Sequence, residues 1–130
     1  MNIATPVIDS LKRGQTVDKV PPLAYFQFNP STQPFLISLF SYNPKKEMYK
    51  LDIPTLVVQG TNDLQANISD ARRLFSAAKK GGIVEIQDMN HVLKVVPRDL
   101  GENIKSYNKP DLEISHELVE SVSKFIKSNG

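Results

Sequence analysis

"IPTLVVQGTNDLQANISDARRLFSAAKKGGIVEIQDMNHVLKVV", residues 53–96, holds two apolar runs with a helix-like segment between them. The first run, IPTLVVQG, is short, rich in β-branched residues and closed by Gly60, the pattern of a strand buried on both faces. Such strands belong to parallel sheets covered by helices, because a sheet with one wet face shows alternation instead. In NISDARRLFSAAKKGG, Ala71, Leu74, Phe75 and Ala78 recur at helical spacing. Ser69 and Asp70 stand at its start, two lysines fall in its last turn and Gly81 offers a left-handed cap, so a helix with both ends marked is predicted. IVEIQ then alternates apolar and polar residues, which predicts a half-exposed strand at a sheet edge. Strand, helix and strand form a βαβ unit, and the connection between Gly60 and Gly82 is long enough for the crossover that parallel pairing requires.

Beyond this unit, a polar loop holding Tyr107 and Pro110 leads to SHELVESVSKFIK, where Leu118, Val119, Val122, Phe125 and Ile126 fall on one helical stripe. A terminal helix packed on the sheet is expected. The chain before residue 53 carries less pattern, and seven of the nine prolines lie in the first 54 residues. STQPFLISLF predicts a short helix entered through Ser31 and Thr32, while PPLAYFQF is too short to separate the two periods and is read as helical. The expected class is therefore α/β: a βαβ-α portion over residues 51–130, preceded by a mostly helical or irregular segment over residues 1–50, in a single domain overall.

Composition sets the outer bounds. A chain of 130 residues has the size of one domain and can bury about two thirds of its unfolded surface. Apolar residues make up 40 % and charged residues 23 %, ordinary for a soluble globular protein, and no run approaches the roughly 18 apolar residues of a membrane span. The net charge of +2 comes from 16 basic and 14 acidic residues scattered along the chain. No arginine-rich stretch or interleaved aromatic and basic pattern asks for nucleic acid. Without cysteine there is neither a disulfide framework nor a thiolate metal site, and MNIATPVIDSLKRG lacks the form of a signal peptide, so a cytoplasmic location is expected. Neither G-x-G-x-x-G nor G-x-x-x-x-G-K-[ST] occurs, and no nucleotide or other cofactor is expected.

In open parallel sheets ligands sit at the carboxyl ends of the strands, where loops and helix N-termini collect. Two loops leave that edge here, GTND after the first strand and QDMNH after the second. Neighbouring strands lie about 4.8 Å apart, which brings Asp63 and His91 within hydrogen-bonding reach. A carboxylate so placed fixes the tautomer of the imidazole through one ring nitrogen and leaves the other to take a proton from a nucleophile. Each residue also has a plainer reading: Asp63 as a turn-forming aspartate after a glycine, His91 as a strand-end histidine. The ordered arrangement of strand, G-x-x-D, helix, strand and histidine favours the pair. His116, in the first turn of the terminal helix, is read as structural, and Asp88 with no second histidine nearby does not make a metal site.

Residues 51–127 resemble the C-terminal end of an α/β-hydrolase, in the serine-hydrolase branch of esterases, lipases and serine aminopeptidase-like proteins. In that family P-x-L-V-x-x-G-x-x-D ends one strand with the triad acid, and a short further strand is followed by a loop carrying the histidine, often as x-N-H. The stretch QPFLISLFSYNPKKEMYKLDIP is similar to the approach to that strand, and Pro21–Pro44 falls where a cap would lie. The resemblance implies Asp63 as the acid and His91 as the base, acting on a small-molecule or peptide acyl substrate of the parent enzyme. The family's serine sits upstream on a G-x-S-x-G elbow. None of the six glycines, at 14, 60, 81, 82, 101 and 130, brackets a serine in that way. The chain is thus expected to supply two triad members without the nucleophile, to be inactive alone, and to form a homo-oligomer through an open sheet edge. The alternatives are a non-catalytic interaction domain on the same scaffold and a flavodoxin-like ligand-binding domain.

Overall fold

The computed structural model describes residues 4–130. Among them are seven α-helices, one 3-10 turn and a two-stranded parallel sheet, a mixed α/β chain. The chain divides into two compact units, with the division between Glu47 and Met48.

The first unit is helical. Its elements are helices α1 (Thr5–Lys12), α2 (Tyr25–Phe28, entered from the 3-10 turn Pro22–Ala24) and α3 (Gln33–Ser41). Val7, Leu11, Ala24 and Phe28 form its buried centre, with Ile8, Val17, Leu36 and Phe40 packed around them. Gln33 is fully buried among these residues. Its Oε1 accepts from the Val17 N–H at 2.7 Å, and its Nε2 donates to the carbonyls of Val17 at 2.8 Å and Phe28 at 2.9 Å. All three of those hydrogen bonds reach main-chain groups, two on Val17 and one on Phe28, so the carboxamide ties the connection after α1 to the end of α2. Both PPLAYFQF and STQPFLISLF are helical here, the second entered from Thr32 without a side-chain cap.

Helix α4 (Pro44–Lys50) precedes the second unit's sheet. Strand β1 (Thr55–Gly60) pairs in parallel with β2 (Gly81–Ile86), residue for residue from Thr55 with Gly81 to Gly60 with Ile86. Helix α5 (Ile68–Phe75) makes the crossover, and α6 (Leu100–Ser106) and α7 (His116–Asn129) follow. Arg72 of α5 grips Glu85 of β2 with two hydrogen bonds, at 2.6 and 2.7 Å. Glu85 and its register partner Gln59 therefore lie on the face that α5 covers. On the opposite face, Leu56 and Val84 line a groove together with Phe125 of α7. A sheet with a helix on each face is what two apolar strands require. With only two strands the covering is partial: Val57 and Gly60 are buried in β1, and its other residues are half-covered rather than enclosed on both faces.

Three expectations need correction. The α5 helix is shorter than its sequence pattern and ends at Phe75. Its cap is Asn67, whose side chain accepts from the Ser69 N–H at 2.9 Å, so Ser69 and Asp70 lie inside the first turn. Gly81 is not a left-handed cap but the first residue of β2; among the described glycines only Gly14 has a positive φ. A side chain at Gly81 would meet the Ala78 Cβ at 2.6 Å, so glycine stands there for room. The polar segment around residue 100 is not all loop. Asp99 accepts from the Glu102 N–H at 2.9 Å and starts α6, an aspartate followed three residues later by glutamate, which is a helix-start signal.

Candidate functional site

Asp63 and His91 meet at the carboxyl ends of β1 and β2. Each strand delivers its residue through a tight loop, and the two loops are laced together by hydrogen bonds. The Thr61 N–H donates to Ile86 O at 3.0 Å, the Asn62 N–H to Met89 O at 3.0 Å, and the Asp88 N–H to the Thr61 hydroxyl at 2.8 Å. This closeness explains Gly60: a Cβ there would land on the Met89 carbonyl. Asp88 takes a left-handed conformation, φ 56°, as the chain leaves β2. Leu93 does the same at φ 65°, a costly backbone state for a branched side chain. It closes a turn in which the Leu93 N–H donates to Asn90 O and the Asn90 N–H to Lys94 O.

His91 Nδ1 lies 3.1 Å from Asp63 Oδ2. The two readings of Asp63 fall on different oxygens. Oδ1 accepts from the backbone N–H groups of Gln65 at 2.8 Å and Ala66 at 3.0 Å, which is the turn-forming role. Oδ2 faces His91 and also accepts from Gln59 Nε2 at 3.1 Å. Burial alone would raise the Asp63 pKa, but the hydrogen bonds from Ala66, Gln65, His91 and Gln59 together outweigh it and hold the carboxyl below the usual carboxylate range. An ionised carboxylate only accepts hydrogen bonds, so Nδ1 of His91 carries the proton and Nε2 of the neutral ring is the free acceptor. The side chain of Asp63 is 9 % exposed and that of His91 43 %. The acid is enclosed, and the imidazole reaches outward past it. Among the described residues no hydroxyl bonds to the ring, and Asp63 is its hydrogen-bond partner.

Behind this pair lies a buried polar cluster. Asn90, Asn103 and Ser106 are each 1 % exposed. Asn90 Nδ2 donates to Asn103 Oδ1 at 3.1 Å and to Ser106 Oγ at 2.7 Å, while its Oδ1 accepts from the Lys94 N–H at 3.1 Å. Asn103 Nδ2 donates to Asn62 O at 2.8 Å. Lys94, also buried, directs its ammonium to the carbonyl of Ser106, the last residue of α6, where the helix dipole favours a cation, and to that of Lys109 in the turn beyond it. Sequence reasoning missed Gln59, Asn90, Asn103 and Ser106. Three of them sit in polar stretches that read as solvated loop, and only the aspartate–glutamate helix start at Asp99 pointed to an ordered element there.

Asp88, by contrast, is engaged with Arg98 at 2.8 Å and Gln87 at 2.9 Å, away from the imidazole. His116 lies at the start of α7 with Glu113 at 3.1 Å, both largely exposed. Among the described residues no three His, Cys, Asp or Glu side chains cluster as metal ligands, and no helix is long and apolar enough to cross a membrane. No family pattern, no characterised protein and no solved structure matches the chain.

Proposed function

We propose that the chain is the C-terminal portion of a serine α/β-hydrolase acting on an ester, amide or other acyl bond. Asp63 orients His91, His91 Nε2 moves protons, and the attacking serine comes from outside residues 1–130. The observation that supports this reading is the Asp63–His91 hydrogen bond at the carboxyl ends of two paired parallel strands, with every other Asp63 donor on the chain's own loop and strand. Such a pair supplies the base half of a triad: the acid fixes the tautomer and stabilises the imidazolium that forms as the serine proton arrives. Lacking the nucleophile and the oxyanion donors that accompany it, the chain alone does not hydrolyse acyl bonds. The alternative is a non-catalytic interaction domain on a degenerate hydrolase scaffold.

Fluorophosphonate labelling separates the two. Alone, the chain stays unlabelled. Joined to the coding sequence immediately upstream, it labels on an elbow serine, and His91→Ala lowers turnover by roughly three to six orders of magnitude. An upstream sequence without an elbow, or stoichiometric labelling of a serine within residues 1–130, contradicts the reading.

The same reading bears on assembly. The Thr55 and Thr61 N–H groups donate to Lys80 and Ile86, so alternate residues of β1 face β2. Leu56 and Val58 turn their backbone groups to the other edge, where no described strand pairs with them. An apolar strand with an open edge is a template for another strand, and the isolated chain should pair there with a second copy. Sedimentation across a dilution series checks this; a strictly monomeric, cooperatively folded species at micromolar concentration rules it out.

A further inference from the structure

We infer that Asn103 is a positioning residue that sets the spacing of Asp63 and His91 by bracing the residue before each of them. The inference rests on the acid–imidazole reading above. Asn103 belongs to α6, outside both loops of the pair, and is 1 % exposed. One end of its carboxamide donates to the carbonyl of Asn62, at 2.8 Å, and the other accepts from the side chain of Asn90, at 3.1 Å. Asn62 precedes Asp63 and Asn90 precedes His91.

The direction of these bonds is fixed at both ends by main-chain groups. Asn62 O only accepts, so Asn103 must present its NH2 there and its oxygen to Asn90. The Lys94 N–H only donates, so Asn90 must present Oδ1 to it and Nδ2 to Asn103. Neither amide can be turned over without facing like against like. Asn90 Oδ1 closes the 90–94 turn that carries His91, and Asn103 ties that turn to the acid's loop. The backbone bond from Asn62 to Met89 joins the loops one residue earlier, and the Leu93–Asn90 and Asn90–Lys94 backbone bonds shape the turn itself; the Asn90 side chain adds the tie from that turn to α6. Ser106 supports Asn90 from α6 at 2.7 Å but makes no bond to the acid's loop. Removing Asn103 leaves Asn90 with one acceptor and the Asn62 carbonyl without its partner, a strain the loops relieve by moving apart. An asparagine that merely fastened α6 would lower stability when removed and leave the pair intact.

The test reads the His91 Nδ1 proton in the full chain by NMR, with stability measured alongside. In Asn103→Ala its exchange with water should rise about tenfold, the scale of losing its two buried hydrogen bonds, at a temperature where the chain is fully folded. In Ser106→Ala, which keeps the brace, it should rise far less. An unchanged proton in folded Asn103→Ala overturns the inference and leaves the proposed function standing, whereas a wild-type chain with no Nδ1 proton at all removes both. If Asn103→Ala does not fold, the unmodified chain decides in sub-denaturing urea. The Asn103 carboxamide protons and the His91 Nδ1 proton should lose protection together, and a His91 proton that outlasts them overturns the brace.

Discussion

His91 and His116 each hold a ring nitrogen 3.1 Å from a carboxylate oxygen. At 116 the partner is Glu113, three residues away, with side chains 87 % and 82 % exposed. At 91 the partner is 28 residues away in sequence, delivered by another strand and held by three further donors. The first pair costs two long side chains their freedom in water and contributes little. In the second pair the carboxylate is already fixed before the imidazole arrives, so the hydrogen bond orders one ring rather than two chains. Distance alone does not tell them apart; what holds the acceptor does. Nitrogen choice follows, since Glu113 meets Nε2 and Asp63 meets Nδ1.

The largest expected effect comes from forcing the loops apart at Gly60. Gly60→Ala drives a Cβ into the Met89 backbone, and as neither main chain yields easily the loss should be about 3 kcal/mol of stability by urea unfolding. The His91–Asp63 bond should weaken with it, while the His116 signals stay in place. Asp63→Ala comes next. It leaves the Gln65 and Ala66 N–H groups without their acceptor and takes one of three acceptors from Gln59 Nε2, for a loss of about 2 kcal/mol. A change in unfolding no larger than that of Glu113→Ala would mean the two pairs are equivalent after all.

Acid titration gives a smaller, signed effect. Asp63 ionises at lower pH in the folded chain than in the unfolded one. Its charged form therefore stabilises the fold above the unfolded pKa, and that contribution is lost as pH falls through the folded value. Asp63→Asn should flatten the fall in stability below the usual carboxylate range; an unchanged slope contradicts the hydrogen-bond account. The smallest effect is at the other histidine. Glu113→Ala and His116→Ala should leave both the unfolding midpoint and the His91 resonances where they are, as chemical shifts would record.

Much of the second unit was legible in the sequence, and the reasons are physical. IPTLVVQG and IVEIQ announce the strands that form over Thr55–Gly60 and Gly81–Ile86, because apolar β-branched runs have few other uses at that length. Asp63 and His91 followed from topology, since parallel neighbours bring their carboxyl-end loops together. The Asn90, Asn103 and Ser106 cluster was not legible, because a buried polar residue looks like a solvated one until its partners are known. Gly81 misled for a related reason: a glycine needed for room beside Ala78 reads like a glycine needed for its backbone. Gln33 in the first unit belongs with these cases, its fully buried carboxamide lying in a helix whose sequence offers no sign of Val17 as its partner.

The fold itself sets the tautomer of His91. Long-range proton–nitrogen correlation spectra of the 15N-labelled chain at neutral pH test it most directly, because they show which ring nitrogen carries the proton. His91 should show Nδ1–H, with a downfield proton that disappears in Asp63→Asn, and His116 no such fixed state. A His91 ring protonated on Nε2, or one whose spectrum is indifferent to Asp63→Asn, would contradict it.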